Sequence, residues 1–310
     1  MKIIKKKVYV ALAVDFLHEG HFNILNKASK LGEVYIGLLT DEAIISYKNV
    51  PNLDYEKRKK LLKGFSFIKK IIPQESLDYT KNLELIKPDY VVHGDDWKKG
   101  IQKNIRTKVI KQLKKWSGKL IEVGYTKNIS LEKFKNKTFE LGNDPLNRTS
   151  KLKRLLKAKK CLRILECHNP LSGLIVENVN YKDKTGDNNF DGMWSSSLTD
   201  SVSRGMPDNQ SVDYSVRVQG VNSIMSVTTK PLIFDIDNGG QIEHLKFVVR
   251  DLERAGASAI VMEDKTGLKK NSLFADQKDA KQDSIINFSK KIKVAKEAAD
   301  NKDFFVIARI

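Results

Sequence analysis

The stretch "VMEDKTGLKKNSLF" (Val261–Phe274) decides how the second half of the chain reads. An apolar run, "ASAIVM", stops at Glu263 and Asp264 and passes straight into Lys265, Lys269 and Lys270, spaced around Gly267. Alone, such a charge run is as consistent with a solvated loop as with a site. Its neighbours end the same way: "CLRILECHN" on Cys167-His168, "FDGMWSSSL" on Ser195-Ser196, "KPLIFDIDNGG" on Asp235 and Asp237, and "DFFVIARI" on Arg309. A basic helix, "KLKRLLKAKK", opens this half, and helical patterns lie between the strands, through "LSGLIVENV", "EHLKFVVRDLERAG" and about 283–300. Strands alternating with helices imply βαβ units and a parallel sheet. In a β/α barrel the carboxyl ends of the strands carry the active site. About five of a barrel's eight strands are visible, so residues 151–310 are expected to form an incomplete TIM-type (β/α) barrel. Such a segment is either part of a longer protein or a truncated remnant serving as a binding or assembly module.

The first half alternates in the same manner. "KVYVALAVD", "EVYIGLLTD", "IKKIIP", "DYVVHGDDW" and "KLIEVGY" read as strands, with helices at "HFNILNKASKLG", "DYEKRKKLLKGF", around "NLELIK" and over 104–117. The spacing predicts a Rossmann-like parallel sheet over 1–140. The pattern dissolves over about 126–150, which reads as a linker. The chain is therefore expected to be α/β with two domains, 1–140 and 151–310.

Composition narrows the classes. With 310 residues, 40% hydrophobic and 30% charged, the chain can build two cores. No apolar run approaches the roughly 20 residues needed to span a bilayer. The lysines of "MKIIKKKVYVALAVDF" mimic a signal peptide, but Asp15 and His18 end the run and no cleavage site follows, so it reads as a first strand. Cys161 and Cys167 form no metal-ligand pattern, which suits a reducing cytoplasm. The net charge of +18 divides into 30 basic against 17 acidic residues in 1–150 and 26 against 21 beyond. Nucleic acid or anionic phosphate substrates would each explain such charge, but the lysines are scattered, without a dense patch of interleaved aromatics, which favours the Lys, Ile and Asn bias of an AT-rich genome.

"DFLHEGHFNIL" places His18 and His21 on either side of Gly20 where a strand turns into a helix. Imidazole donors there suit phosphate groups, because the helix end adds amides and partial positive charge. The segment resembles the H-x-G-H signature of the cytidylyltransferase-like family, and "TDEAIISYK", "YEKRKK" and "VVHGDDWKKG" extend the likeness over most of 8–125. That resemblance implies CTP as nucleotide, with His18 and His21 at the reacting phosphorus, Lys48 on the triphosphate, and Asp95 and Trp97 near the substrate. It also implies an I-S-[ST]-[ST] turn on the triphosphate. Here "ISLEKF" keeps Ser130 but puts Leu131 and Glu132 in place of hydroxyls, a change that weakens triphosphate binding.

"EDKTGLKKNS", "WSSSLTDSVSRGMPD" and "FDIDNGG" resemble phosphoenolpyruvate mutase of the isocitrate lyase superfamily over roughly 160–310. The resemblance implies interconversion of phosphoenolpyruvate and 3-phosphonopyruvate, in a bifunctional protein whose first domain transfers CMP to 2-aminoethylphosphonate or a similar acceptor. It implies Mg²⁺ held by Asp235, Asp237 and Glu263, directly or through water. It places Lys269, Asn271 and Ser272 in a closing loop, Asp208 near the pyruvyl carbon, and Trp194, Ser196, Leu198 and Arg309 on the substrate. "KKNS" lacks the cysteine of isocitrate lyases, and Asn271 is the mutase-like choice over a phosphonopyruvate hydrolase, which remains the alternative. The barrel family also allows a homo-oligomer.

Overall fold

The computed structural model describes residues 5–98, 102–124, 131–183, 186–270 and 281–310. The chain divides into two compact units, Met1–Thr138 and Phe139–Ile310.

In the first unit, β1 (Lys7–Leu12), β2 (Glu33–Leu39), β3 (Ile68–Gln74), β4 (Tyr90–Gly94) and β5 (Lys119–Val123) form one parallel sheet in the order β3-β2-β1-β4-β5. This is the doubly wound, Rossmann-like arrangement expected. Helices cover both faces, so the central strand is apolar on both sides, and Val8, Tyr9 and Val10 are fully buried. Strand order reverses between β1 and β4, and the crevice outside their carboxyl ends is where such sheets take ligands. The "HEGH" turn follows β1 and "DDW" follows β4, so both motifs flank that crevice.

A buried ion pair fixes the turn region. Arg58, from "YEKRKK", is fully buried; it donates to the carbonyls of Ala13 and Leu39 at 2.7 and 2.8 Å and to Asp41 Oδ1 at 2.5 Å. Removing one partner of a buried pair leaves an uncompensated charge. Asp41→Ala is therefore expected to destabilise this unit by about 3 kcal/mol, read as a shift in urea unfolding.

In the second unit, β6 (Ile164–Glu166) is followed by an antiparallel hairpin, β7 (Asn180–Asp183) and β8 (Gly186–Asn189). Then come β9 (Gly192–Ser195), β10 (Leu232–Asp235), β11 (Ala259–Glu263) and β12 (Phe305–Arg309). Five of these pair in parallel in the order β12-β11-β10-β9-β6, each new strand adding to the same side, as in a β/α barrel. Among the described residues the sheet stays open, with β6 and β12 at its edges. Its helices bury regular stripes: Ile242–Arg254 turns Leu245, Val249 and Leu252 inward, all fully buried.

The linker expected at 126–150 is not what the structure shows: Leu131–Asn143 and Pro145–Ala158 are helices. Pro145–Ala158 hides its role because it buries polar residues. Arg148 donates to the carbonyls of Met225 and Thr228, Lys151 reaches the Thr229 carbonyl at 2.7 Å, and Thr149 reaches that of Ala257 at 3.2 Å. Its buried apolar residues, Leu152 and Leu155, lie only in its second half, so no hydrophobic period marks the first turns. No helix among the described residues is long and apolar enough to cross a membrane.

Candidate functional site

At the end of β1 the chain turns through Val14, whose φ is +37°, and Asp15 accepts the backbone N–H groups of Asn52 and Leu53, both at 2.7 Å. His18 then caps the helix Glu19–Ser29, its Nδ1 accepting the Gly20 N–H at 3.1 Å. A neutral His18 with Nδ1 so engaged carries its proton on Nε2. The His21 ring lies 3.9 Å from that of His18, and its Nδ1 is buried with no hydrogen-bond partner among the described residues. The two rings line a cavity of about 260 Å³ that Lys48, Asp95 and Trp97 also line. The structure thus brings together every first-unit site residue named from sequence except Ser130, which lies outside the described residues, as do the side chains of Leu131 and Glu132.

Trp97 is buried and its indole N–H donates to Glu122 Oε1 at 2.8 Å, so it forms a wall of the cavity. His93 stacks on it, ring centroids 3.7 Å apart. Arg106 grips Glu122 at 2.9 Å and holds its carboxyl down at about 2. His93, Glu122 and Arg106 escaped the sequence reading. His93 stands inside "VVHGDDW" and was within reach, whereas the other two lie on separate elements.

Burial, with smaller contributions from His18 and Lys48, pushes His21 down to about 4. A depressed histidine stays neutral in the folded chain while the unfolded one, near 6.5, takes up a proton. Stability therefore falls as pH drops from about 6.5 to about 4, by about 3 kcal/mol when complete. His21→Gln should shrink that loss, seen by comparing urea unfolding midpoints at roughly pH 7 and pH 4.5.

In the second unit the turn after β10 is built from left-handed backbone at Asp237 (φ +54°), Gly239 (+76°) and Gly240 (+60°). It places Asp235 and Asp237 side by side at the carboxyl end of the strand, 2% and 3% exposed. Lys269 comes back over them. Its Nζ lies 2.7 Å from Asp237, 3.4 Å from Asp208 and 3.8 Å from Asp235, and it donates to Ser197 Oγ. Burial alone would pull the lysine down, but Asp235, Asp237 and Asp208 outweigh it and hold the amine above its usual value. Burial, reinforced by Asp235, raises Asp237 against the pull of Lys269 and Arg217.

Glu263 does not join these acids. It pairs with Arg309 at 2.9 Å and Lys265 at 3.3 Å. Trp194, Ser196 and Leu198 are partly exposed at or just past the carboxyl end of β9. Asn271 and Ser272 lie outside the described residues. Among those described, no group of three or more His, Cys, Asp or Glu side chains is arranged to hold a metal ion. The donor chemistry nevertheless fits one: three buried carboxylates meet at a single cation, the Lys269 ammonium, and hard oxygens are what Mg²⁺ takes. The cavity under the loop, between Asn238, Glu263 and Lys269, is about 30 Å³, room for about one water. Asn238 holds the loop down by donating to the Gly267 carbonyl at 2.7 Å. Arg217, which carries no sequence signal, is buried behind the acids, 3.0 Å from Asp200 and 3.5 Å from Asp237.

Fold and geometry define an α/β protein of two parallel-sheet units, each gathering charged residues at its strand ends. The chain belongs to the phosphoenolpyruvate phosphomutase family, whose model matches residues 152–310, and carries ahead of it a cytidylyltransferase-like domain, matched over 14–165. It is 34% identical over 166 residues to phosphonopyruvate hydrolase from Variovorax sp. (strain Pal2), covering 53% of this chain and 54% of that protein. To phosphoenolpyruvate phosphomutase from Tetrahymena pyriformis it is 33% identical over 165 residues, covering 53% and 51%. The chain thus spans about half the length of these two relatives. Glycerol-3-phosphate cytidylyltransferase from Bacillus spizizenii is 32% identical over 95 residues, 30% of this chain and 74% of that protein.

Proposed function

We propose that the second unit interconverts phosphoenolpyruvate and 3-phosphonopyruvate with Mg²⁺, in phosphonate biosynthesis, and that the first transfers CMP from CTP to 2-aminoethylphosphonate or a similar acceptor. The observation that carries the first half is the convergence of Asp208, Asp235 and Asp237 on one buried cation at the strand ends of a phosphomutase-family domain.

The reaction breaks the P–O bond of phosphoenolpyruvate, leaving an enolate and a metaphosphate-like group, and forms a P–C bond at the enolate carbon. Asp235 and Asp237 would hold Mg²⁺, with Glu263, which pairs with Arg309 and Lys265, reaching it through water, and the ion would supply charge stabilisation for the enolate. Lys269, with Ser196 and Arg309, would meet the phosphoryl and carboxylate groups, and Asn271 and Ser272 would help exclude water. Asp208 stands near the pyruvyl carbon, and Trp194 and Leu198 pack against the substrate.

In the first unit, His18 and His21 meet the reacting phosphate at the helix N-terminus, with Lys48 on the triphosphate and Asp95 beside the acceptor. Neither chemistry needs a covalent intermediate, so positioning and charge suffice.

Phosphorus NMR of phosphonopyruvate incubated with the protein and Mg²⁺ tests the main reading. Appearance of phosphoenolpyruvate is expected. Release of pyruvate and inorganic phosphate alone would make the protein a hydrolase, and no turnover would leave the reading without support.

A further inference from the structure

Ser197 has no role in the reading above, yet it is 3% exposed and sits between the two charged groups that matter most. Its hydroxyl donates to Asp235 Oδ2 at 3.2 Å and accepts from Lys269. The other carboxylate oxygen of Asp235, Oδ1, takes the backbone N–H of Asp237 at 2.8 Å. Both oxygens of Asp235 are thereby fixed, one by backbone and one by Ser197. A hydroxyl has one proton to give and lone pairs to accept with, so one serine serves acid and amine together.

We infer that Ser197 is the positioning residue for the cation site: it orients the Asp235 carboxylate and registers the loop lysine against it. The inference rests on the Mg²⁺ reading of Asp235. Groups that orient a ligand by hydrogen bonding set metal affinity nearly as strongly as the ligand itself, because a carboxylate free to rotate must be ordered when the ion arrives. The serine proton on Asp235 Oδ2 and the Asp237 N–H on Oδ1 together hold that carboxylate in one orientation. The same hydroxyl ties the lysine to a second strand: among the described residues, the Lys269 amine meets a neutral acceptor on the β9 side as well as the acids of the β10 turn.

The test is titration of the full chain with Mn²⁺ alone, followed by electron paramagnetic resonance, without substrate. Ser197→Ala, with Ser197→Gly as a second route to the same loss, should weaken Mn²⁺ binding ten- to a hundredfold. CTP binding, which belongs to the other unit, should not change. In an Asp235→Asn background, Ser197→Ala should cost nothing further, because its effect passes through that carboxylate. Parent and Ser197 variants binding Mn²⁺ equally, or the two substitutions adding independently, overturns the inference while leaving the metal reading intact. A parent chain that binds no Mn²⁺ overturns both.

Discussion

Asp235→Ala is expected to lower phosphoenolpyruvate–phosphonopyruvate interconversion about a thousandfold, the scale seen when a preorganised charge at a developing anion is removed. The substitution deletes one of three carboxylates around Lys269 and leaves Asp237 as the nearest, at 2.7 Å. The site then binds its cation with less charge, and Asp237 loses the acceptor that fixed its backbone N–H. Folding should survive, because the core beneath is built from Phe234, Ile236, Ile260 and Met262, all fully buried and untouched. Phosphorus NMR at limiting Mg²⁺ measures the effect and circular dichroism the fold. Activity within tenfold of the parent would remove Asp235 from the site. Asp235→Asn separates charge from shape, since the amide can keep an oxygen toward the Asp237 N–H; an equally deep loss is expected if charge is what counts.

His18→Ala should reduce cytidylyl transfer by about a hundred- to a thousandfold in kcat, with a smaller change in KM for CTP. The imidazole is placed by its own capping bond to Gly20 at the helix N-terminus, where in the proposed reaction charge would develop on the phosphate. Losing the cap alone costs about 1 kcal/mol of stability. His18→Asn, which can cap, separates the two roles: stability should recover and transfer should not. Equal recovery of both would make His18 a capping residue and no more. The measurement is release of pyrophosphate from CTP with 2-aminoethylphosphonate as acceptor.

Much of the architecture was legible because its determinants are local. Parallel strands buried on both faces are continuous apolar runs, and "KVYVALAVD" and "ASAIVMEDK" announce themselves as such. The acids after "LIF" and "IVM" and the histidines around Gly20 lie within a few residues of their strand ends, so topology alone carries them to the right edge of the sheet. The hairpin Asn180–Asn189 was not legible: "NYKDKTGDNN" has neither apolar alternation nor bulk. Of the helix Pro145–Ala158 only the second part, within "KLKRLLKAKK", was legible; its first turns, which bury Asn147, Arg148 and Thr149, were read as linker. A polar residue is stable inside only when a partner meets it, and Arg148, Thr149 and Lys151 meet carbonyls about eighty or more positions away in sequence.

The sequence by itself therefore determined two α/β units, the strand ends that carry their chemistry, and the residue types found there. Only the tertiary structure decided which of those residues meet. It sent Glu263 to Arg309 and Lys265, away from the other acids, and brought Lys269 down onto Asp208, Asp235 and Asp237. It also set Ser197 between Lys269 and Asp235, and Arg217 behind Asp237. The physical reason is the range of the forces involved. Hydrophobic periodicity is written along one element and can be read there, whereas the direction of a hydrogen bond or ion pair depends on a second element whose place is set by packing.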